Sequence, residues 1–238
     1  MTVTYQYPRP SVTVDVVIFG LDMTAPPVLN VLLIRRGRKS EPYYDHWAIP
    51  GGFVNKDEDL DVAARREAVE ETHANPTYIE QLKTFGAPGR DPRGHVISVA
   101  YMALVRTSEM EIQADDDAKE VAWWPVDDLS KIQLAFDHAE ILTVALNRLR
   151  SKVRWQPIGI DLLPEVFSLP ELQQVYEAIL GHPIVRRTWR RRVAAYGVLV
   201  PAGSRRIVGD FGGRPPDLWR FDRAAYEALL KEGGEFEL

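Results

Sequence analysis

The chain has 238 residues, 45% apolar and 26% charged, enough for one large domain or two modest ones; without cysteine it excludes disulfides, thiolate metal sites and thiol nucleophiles. The N-terminal stretch shows no basic-then-apolar leader, and no apolar run nears the roughly 20 residues of a membrane helix, so a cytoplasmic location without a membrane partner is expected. The net charge of −5 sits in residues 1–154, with 18 Lys and Arg against 23 Asp and Glu, while residues 155–238 balance at 11 and 11.

In chain order, apolar patterns at 12–19 and 28–35 predict two strands parted by a turn with Pro26 and Pro27. The segment from Trp47 to Phe53 reads as an aromatic and glycine turn, followed by a helix over about 58–72. Strands are predicted at 78–86, 95–105 and 120–125, and this alternation with helices predicts an α/β layer architecture. Asp137 and Glu140 have capping-box spacing, and Ile141, Leu142, Ala145 and Leu149 then share a helical face that closes the first domain.

Between Trp155 and Phe167 the helical period is lost among Pro157, Gly159 and Pro164, which places a junction between domains 1–154 and 155–238. Beyond it, Ser168 and Glu171 form a capping box ahead of Leu172, Val175, Tyr176 and Ile179, and Gly181 stops that helix. A second helix is expected over about 188–196, ended by Gly197, then a β-hairpin over 198–221 with breaks at Gly203-Ser204 and Gly212-Gly213. Helix, turn, arginine-rich helix and hairpin make a winged helix-turn-helix.

The sharpest motif runs from Gly52: five residues, Glu58, seven residues, then Arg66, Glu67, Ala68, Val69, Glu70, Glu71 and Thr72. On a helix, Glu67, Glu70 and Glu71 fall within an arc of about 100°, and such crowding of carboxylates suits Mg²⁺, which bridges to substrate phosphates. Arg66 is placed to hold these acids in position. The other reading of the trio alone is a solvated acidic face; Pro50-Gly51-Gly52 and the spacing to Glu58 favour the metal.

These residues resemble the Nudix box of enzymes that hydrolyse nucleoside diphosphates linked to another group. The resemblance implies a Nudix α/β/α sandwich with a mixed sheet. It also implies Mg²⁺ on Glu67, Glu70 and Glu71, one of which, or Glu58, activates water if the site is active. His73 stands where that box has glycine, which predicts an altered turn at the helix end. The loop from Phe85 to Gly94 resembles that of Nudix proteins handling ADP-ribose; Arg90 and Arg93 are its candidate ligand contacts, an ordinary Pro/Gly turn being the alternative. Arg35, Gly51, Gly52 and Arg66 complete the expected ligand-binding set. His95 and His138 are given no role.

Positions 184–214 hold eight arginines and one acid, Asp210. Arg187, Arg190 and Arg191 are spaced i, i+3, i+4, flanked by Arg186, Thr188 and Arg192, and such a face suits the DNA major groove, where arginine reads guanine and neutralises phosphate. Arg205, Arg206 and Arg214 fall on the expected wing, while Trp189 and Val193 are expected to anchor the helix to its core. A solvated basic face, or a surface docking the acidic first domain, is the competing reading.

Together the halves resemble the Nudix-related transcriptional regulators of the NrtR family, repressors of bacterial NAD biosynthesis and salvage genes. That resemblance implies double-stranded operator DNA as partner, ADP-ribose as the effector that releases it, and a homodimer matching a palindromic operator. The alternative function is a Mg²⁺-dependent ADP-ribose pyrophosphatase with a C-terminal accessory domain.

Overall fold

The computed structural model describes residues 7–24, 26–107, 118–204 and 217–237. They form two compact units: residues 1–22 with 29–147, and residues 23–28 with 148–238. That division falls between Asn147 and Arg148, a few residues before the proline- and glycine-containing stretch after Trp155. There, residues Ile158–Leu162 form a buried 3₁₀ turn.

The first unit is built on a mixed sheet of β1 (Ser11–Asp22), β2 (Val28–Arg36), β3 (Trp47–Ala48), β4 (Gly51–Phe53), β5 (Tyr78–Phe85), β6 (Val96–Leu104) and β7 (Ala118–Pro125). The order is β3-β2-β1-β6-β5, with β4 also pairing β1 and β7 pairing β2. β1 runs parallel to β6, and the β5, β7 and β4 pairings are antiparallel. The expected aromatic and glycine turn is therefore two short strands, too brief for any periodicity to show in the sequence.

Alternation of side chains along β1 sends Val14, Val16 and Ile18 to a core shared with Ala63, Ala64 and Ala68 of helix α1 (Leu60–Thr72). Three alanines on one helical face let the helix backbone come close to the sheet. α1 begins after Glu58, because Asp59 caps it by accepting from the Asp61 amide. At its other end His73 adopts the left-handed conformation (φ 58°) and closes the helix by donating its amide hydrogen to the Val69 carbonyl. The turn expected to be altered is thus kept, with histidine in the conformation glycine favours. Helix α2 (His138–Lys152) buries Ile141, Leu142, Ala145 and Leu149, as its periodicity predicts. The Asp137 carboxylate ahead of it does not act as a capping box; both oxygens accept from Arg90.

The second unit contains β8 (Phe167–Ser168), α3 (Leu169–Leu180), α4 (Arg186–Ala195), β9 (Leu199–Ser204), β10 (Asp217–Phe221) and α5 (Arg223–Lys231). The Ser168–Glu171 capping box is formed, and Gly181 ends α3 in the left-handed conformation (φ 75°). β9 and β10 make the expected hairpin, and β8 adds a third antiparallel strand beside β10. Leu172, Val175, Tyr176, Ile179, Trp189 and Val193 form the interior of this winged helix. Among the described residues, no helix is long and apolar enough to cross a membrane.

Candidate functional site: a charged cleft and a basic helix

A cleft of about 290 Å³ opens in the first unit where β1, β2, β4, α1 and the 86–94 loop converge. Strand alternation decides which arginine of β2 reaches it. Ile34 and Arg36 line the cleft, whereas Arg35 points to the other face and binds Asp45 (3.0 Å) and Glu120 (3.4 Å). Arg35, an expected ligand contact, is thus turned away from the cleft, and its neighbour Arg36 lines it, as one step along a strand reverses the side.

Gly51 and Gly52 lie on β4, the first closed in by backbone and the second by the Glu67 carboxylate. A Cβ on Gly51 would come 2.2 Å from the Val14 carbonyl oxygen, and one on Gly52 2.5 Å from a carboxylate oxygen of Glu67. The Gly51 amide donates to Glu71 Oε2 at 2.7 Å, tying the glycine turn to α1. Arg66 donates to Glu58 (2.7 and 2.9 Å), Glu67 (2.7 Å) and Glu70 (2.9 Å), the positioning role expected of it. Neither Arg66 nor Glu58 nor Glu70 lines the cleft; Glu67 and Glu71 do.

The electrostatics separate these acids. The Arg66 guanidinium holds the Glu58 carboxyl down to about 2, so Glu58 is an anchored anion and a weak base. Burial, opposed by the Gly51 amide and reinforced by the charges of Glu67 and Asp15, pushes Glu71 up to about 8. Burial raises Glu67 as well. Two carboxyls whose charge is held back in a shared cleft gain from a cation between them, and this is the observation by which the site fits Mg²⁺. Among the described residues, no three acidic or imidazole side chains already form a metal cluster, and Glu70 is tied to Arg66.

The cations of the cleft are paired. Arg90, 5% exposed, donates to both oxygens of Asp137 (2.8 and 2.6 Å) and lies 3.7 Å from Asp15. Arg93 forms a fork on Asp91 with bonds of 2.7 to 3.1 Å, and its guanidinium lies 5.2 Å from the Phe53 ring centroid and 5.4 Å from that of Phe136. Arg36 binds Glu41 at 2.7 Å and lies 5.1 Å from Phe136; burial lowers its pKa, helped by Arg93. Phe136 itself has φ 51°, costly for an aromatic residue and of the kind that collects at ligand sites.

Sequence reasoning missed Asp15, Arg36, Phe53, Phe136 and His138, all of which line the cleft. Asp15 carried a signal, as the one charge inside the apolar 12–19 run. It accepts from Ser98 Oγ, with His138 Nε2 3.8 Å away. Burial lowers the His138 pKa, and its Nδ1 accepts the Ile49 amide at 2.9 Å, so the ring is neutral with its proton on Nε2. His95 is exposed and lies outside the cleft.

In the second unit, α4 buries Trp189 (3% exposed) and Val193 (2%) and turns Arg186, Arg187, Thr188, Arg191 and Arg192 outward. Arg190 is half-buried beside Trp189, and burial, then Arg186, lowers its pKa. The outward pair is therefore Arg187 and Arg191, one turn apart. Arg205, Arg206 and Arg214 lie outside the described residues.

Residues 9–144 match the NUDIX domain family, and residues 159–221 match the NrtR DNA-binding winged helix domain. The chain is 37% identical to the ADPR responsive transcriptional repressor NtrR of Acinetobacter baylyi, over 93% of this chain and 86% of that one. It is similar to the crystal structure of Shewanella oneidensis NrtR complexed with a 27mer DNA, with a TM-score of 0.77 and 36% identity over 91% of this chain and 95% of that one. The NUDIX domain of Shewanella oneidensis NrtR complexed with ADP ribose matches at a TM-score of 0.54 and 36% identity, over 60% of this chain and 90% of that one. A Nudix domain joined to a DNA-binding winged helix defines the class. The chain belongs to the NrtR family of Nudix-related transcriptional regulators.

Proposed function

We propose that the protein is a transcriptional repressor of NAD biosynthesis and salvage genes, which binds operator DNA through its winged helix and is released by ADP-ribose in the Nudix cleft. The observation that carries the DNA half is the outward arginine face of α4 around the buried Trp189 and Val193. Arg187 and Arg191 read the major groove, Arg186, Thr188 and Arg192 contact phosphate, and Arg190 holds the helix edge. Arg205, Arg206 and Arg214 are further candidates for DNA contact, outside the described residues. Likeness to a DNA-bound NrtR and to the ADPR responsive repressor supports the reading.

In the cleft, Arg36, Arg90 and Arg93 supply charge to a diphosphate, and Phe53, 46% exposed, offers a ring for stacking on a base. Glu67 and Glu71, joined by Glu70, are the residues to hold Mg²⁺, which when bound neutralises diphosphate oxygens. The cell compartment is cytoplasmic, and two copies match a palindromic operator. ADP-ribose releases DNA only by binding the weak-DNA state more tightly.

The test is fluorescence anisotropy of labelled promoter DNA from NAD-biosynthesis genes, with and without ADP-ribose, in chelator so that hydrolysis does not intervene. Tight binding reversed by ADP-ribose is expected; binding no stronger than to random DNA would sink the repressor. A second reading is favoured by Glu67 and Glu71 lining the cleft: the domain retains Mg²⁺-dependent ADP-ribose pyrophosphatase activity. Metal-dependent AMP release, lost in Glu71→Gln, checks it.

A further inference from the structure

The Nudix cleft holds a donor and an acceptor that lie close without meeting. The His138 ring, 3% exposed, accepts the Ile49 amide on Nδ1, which leaves its hydrogen on Nε2. Asp15 Oδ1 lies 3.8 Å from that nitrogen, beyond the roughly 2.7–3.2 Å of an N–H···O hydrogen bond. The other Asp15 oxygen, Oδ2, accepts from Ser98 Oγ and lies 3.7 Å from Arg90. Among the described residues, no hydrogen bond reaches His138 Nε2 or Asp15 Oδ1. Both side chains line the cleft, as do Ile49 and Gly51. Oδ1 lies on the Gly51 side: a Cβ on that glycine would come 2.9 Å from it, and the missing side chain leaves the oxygen uncovered. Buried polar groups in native proteins nearly always have a partner, so this pair marks a place where one belongs.

The chemistry of the pair selects that partner. Burial keeps the imidazole neutral, so its Nε2–H donates, while a carboxylate only accepts. A phosphate has acceptors alone: it would satisfy His138 but meet the charge of Asp15, with Glu71 close enough to Asp15 to feel it too. A hydroxyl both donates and accepts, and two hydroxyls on neighbouring carbons satisfy both groups at once. A sugar ring with a vicinal diol therefore fits here, and the diphosphate is left to Arg36 and Arg93.

We infer that Asp15 and His138 determine the specificity of the cleft by reading the vicinal diol of a ribose ring. His138 Nε2 donates to one hydroxyl, and Asp15 Oδ1 accepts from its neighbour. ADP-ribose carries such a ring on each side of its diphosphate, and the chemistry of recognition is the same for both. The identity of the ligand rests on the effector reading above; the preference for a diol does not.

The test is titration calorimetry of the full chain in chelator with three ligands: ADP-ribose, its analogue lacking the 2-hydroxyl of the adenosine ribose, and its analogue lacking the 2-hydroxyl of the terminal ribose. One analogue is expected to bind roughly tenfold more weakly or worse, since losing the hydroxyl strands a buried polar group, and which analogue it is names the ring. Asp15→Asn, which can still accept from Ser98, and His138→Gln are each expected to bring that ratio below about threefold, a change that lost packing alone does not produce. Both analogues binding the wild type as well as ADP-ribose does overturns the subsite, whether or not the variants fold. An undiminished ratio in folded variants overturns it as well. If ADP-ribose itself does not bind, the effector reading falls, and the subsite is decided by the His138 imidazole resonances, assigned by their loss in His138→Gln. Ribose 5-phosphate is then expected to shift them saturably at millimolar concentration, and 2-deoxyribose 5-phosphate to bind more weakly; equal binding, or no saturable shift, overturns the subsite.

Discussion

The arginines of the cleft and those of α4 do opposite things with the same side chain. In the cleft, Arg90 and Arg93 are forked onto Asp137 and Asp91, Arg36 is paired with Glu41 by one bond, and Arg36 and Arg93 lie over Phe136. On α4, Arg186, Arg187, Arg191 and Arg192 face outward, with no acid in the first turn. Paired arginines are held in place in advance, which suits one small ligand of fixed geometry. Outward-facing arginines on a helix suit a polyanion, where affinity comes from released counterions and falls steeply with salt. The contrast separates the expected effects of mutation: loss of a cleft arginine should be felt in folding and ligand binding, loss of an outward α4 arginine in DNA binding alone.

The largest expected effect is that of Arg90→Ala. It strands the Asp137 carboxylate and leaves Asp15 without its nearby cation; a fully buried pair broken from one side costs roughly 3–5 kcal/mol, and this partly buried one should cost about 2–3 kcal/mol. Thermal melting should show the Nudix unit unfolding well below the wild type, with a smaller change for Arg90→Lys. An unchanged melting curve would mean that the Arg90–Asp137 fork is not structural.

Next in size is Arg187→Ala combined with Arg191→Ala. At about 1–3 kcal/mol for each base-reading arginine, operator affinity should fall on the order of 100-fold, while melting and ADP-ribose binding stay as they are. The salt dependence discriminates further. Arg192→Ala should lower the slope of log K against log salt by roughly 1 and weaken all sequences alike, as a phosphate contact does. A double variant that binds operator normally would move the DNA surface off α4.

These differences also explain what the sequence makes legible. The arginine helix is visible because its neighbours in space are its neighbours in the chain, and the Ser168–Glu171 capping box is equally local. The Arg90–Asp137 fork spans 47 residues, and nothing in either segment announces it. Arg35 and Arg36 differ by one step of a strand, and the choice depends on which face of β2 the cleft occupies, a tertiary fact. β8 has two residues, too few for a period, and α5 has no fully buried residue to mark its apolar stripe. Trp47 to Phe53 reads as a turn because each of its strands is three residues or fewer.

A smaller effect tests His138, whose charge is excluded by burial. Its folded pKa lies below the 6.5 of the free group, so below pH 6.5 the unfolded chain takes up a proton that the folded one refuses. Stability from this group is therefore full above pH 6.5 and falls as pH drops toward the lowered pKa, by up to about 1.4 kcal/mol per pH unit. Melting temperatures at pH 7.5 and 5.5 should diverge more for the wild type than for His138→Asn. Parallel shifts would mean that the ring already takes a proton in the folded state.

The smallest effect concerns His73, which bears φ 58° at the end of α1. A left-handed residue with a Cβ costs more than glycine there, although glycine loses more chain entropy on folding, and histidine tolerates the region better than branched residues do. The conformational cost outweighs the entropy term, and His73→Gly should stabilise the Nudix unit by roughly 0.5–1 kcal/mol. The Nδ1 contact of His73 to the Val69 carbonyl, 3.2 Å, is exposed, so its loss takes back little of that gain. Because the Glu67 and Glu71 side chains are held by Arg66 and the Gly51 amide and not by the cap, ADP-ribose affinity should not change. A His73→Gly variant that melts lower, or that alters ligand affinity, would show that the histidine does more than occupy a glycine's conformation.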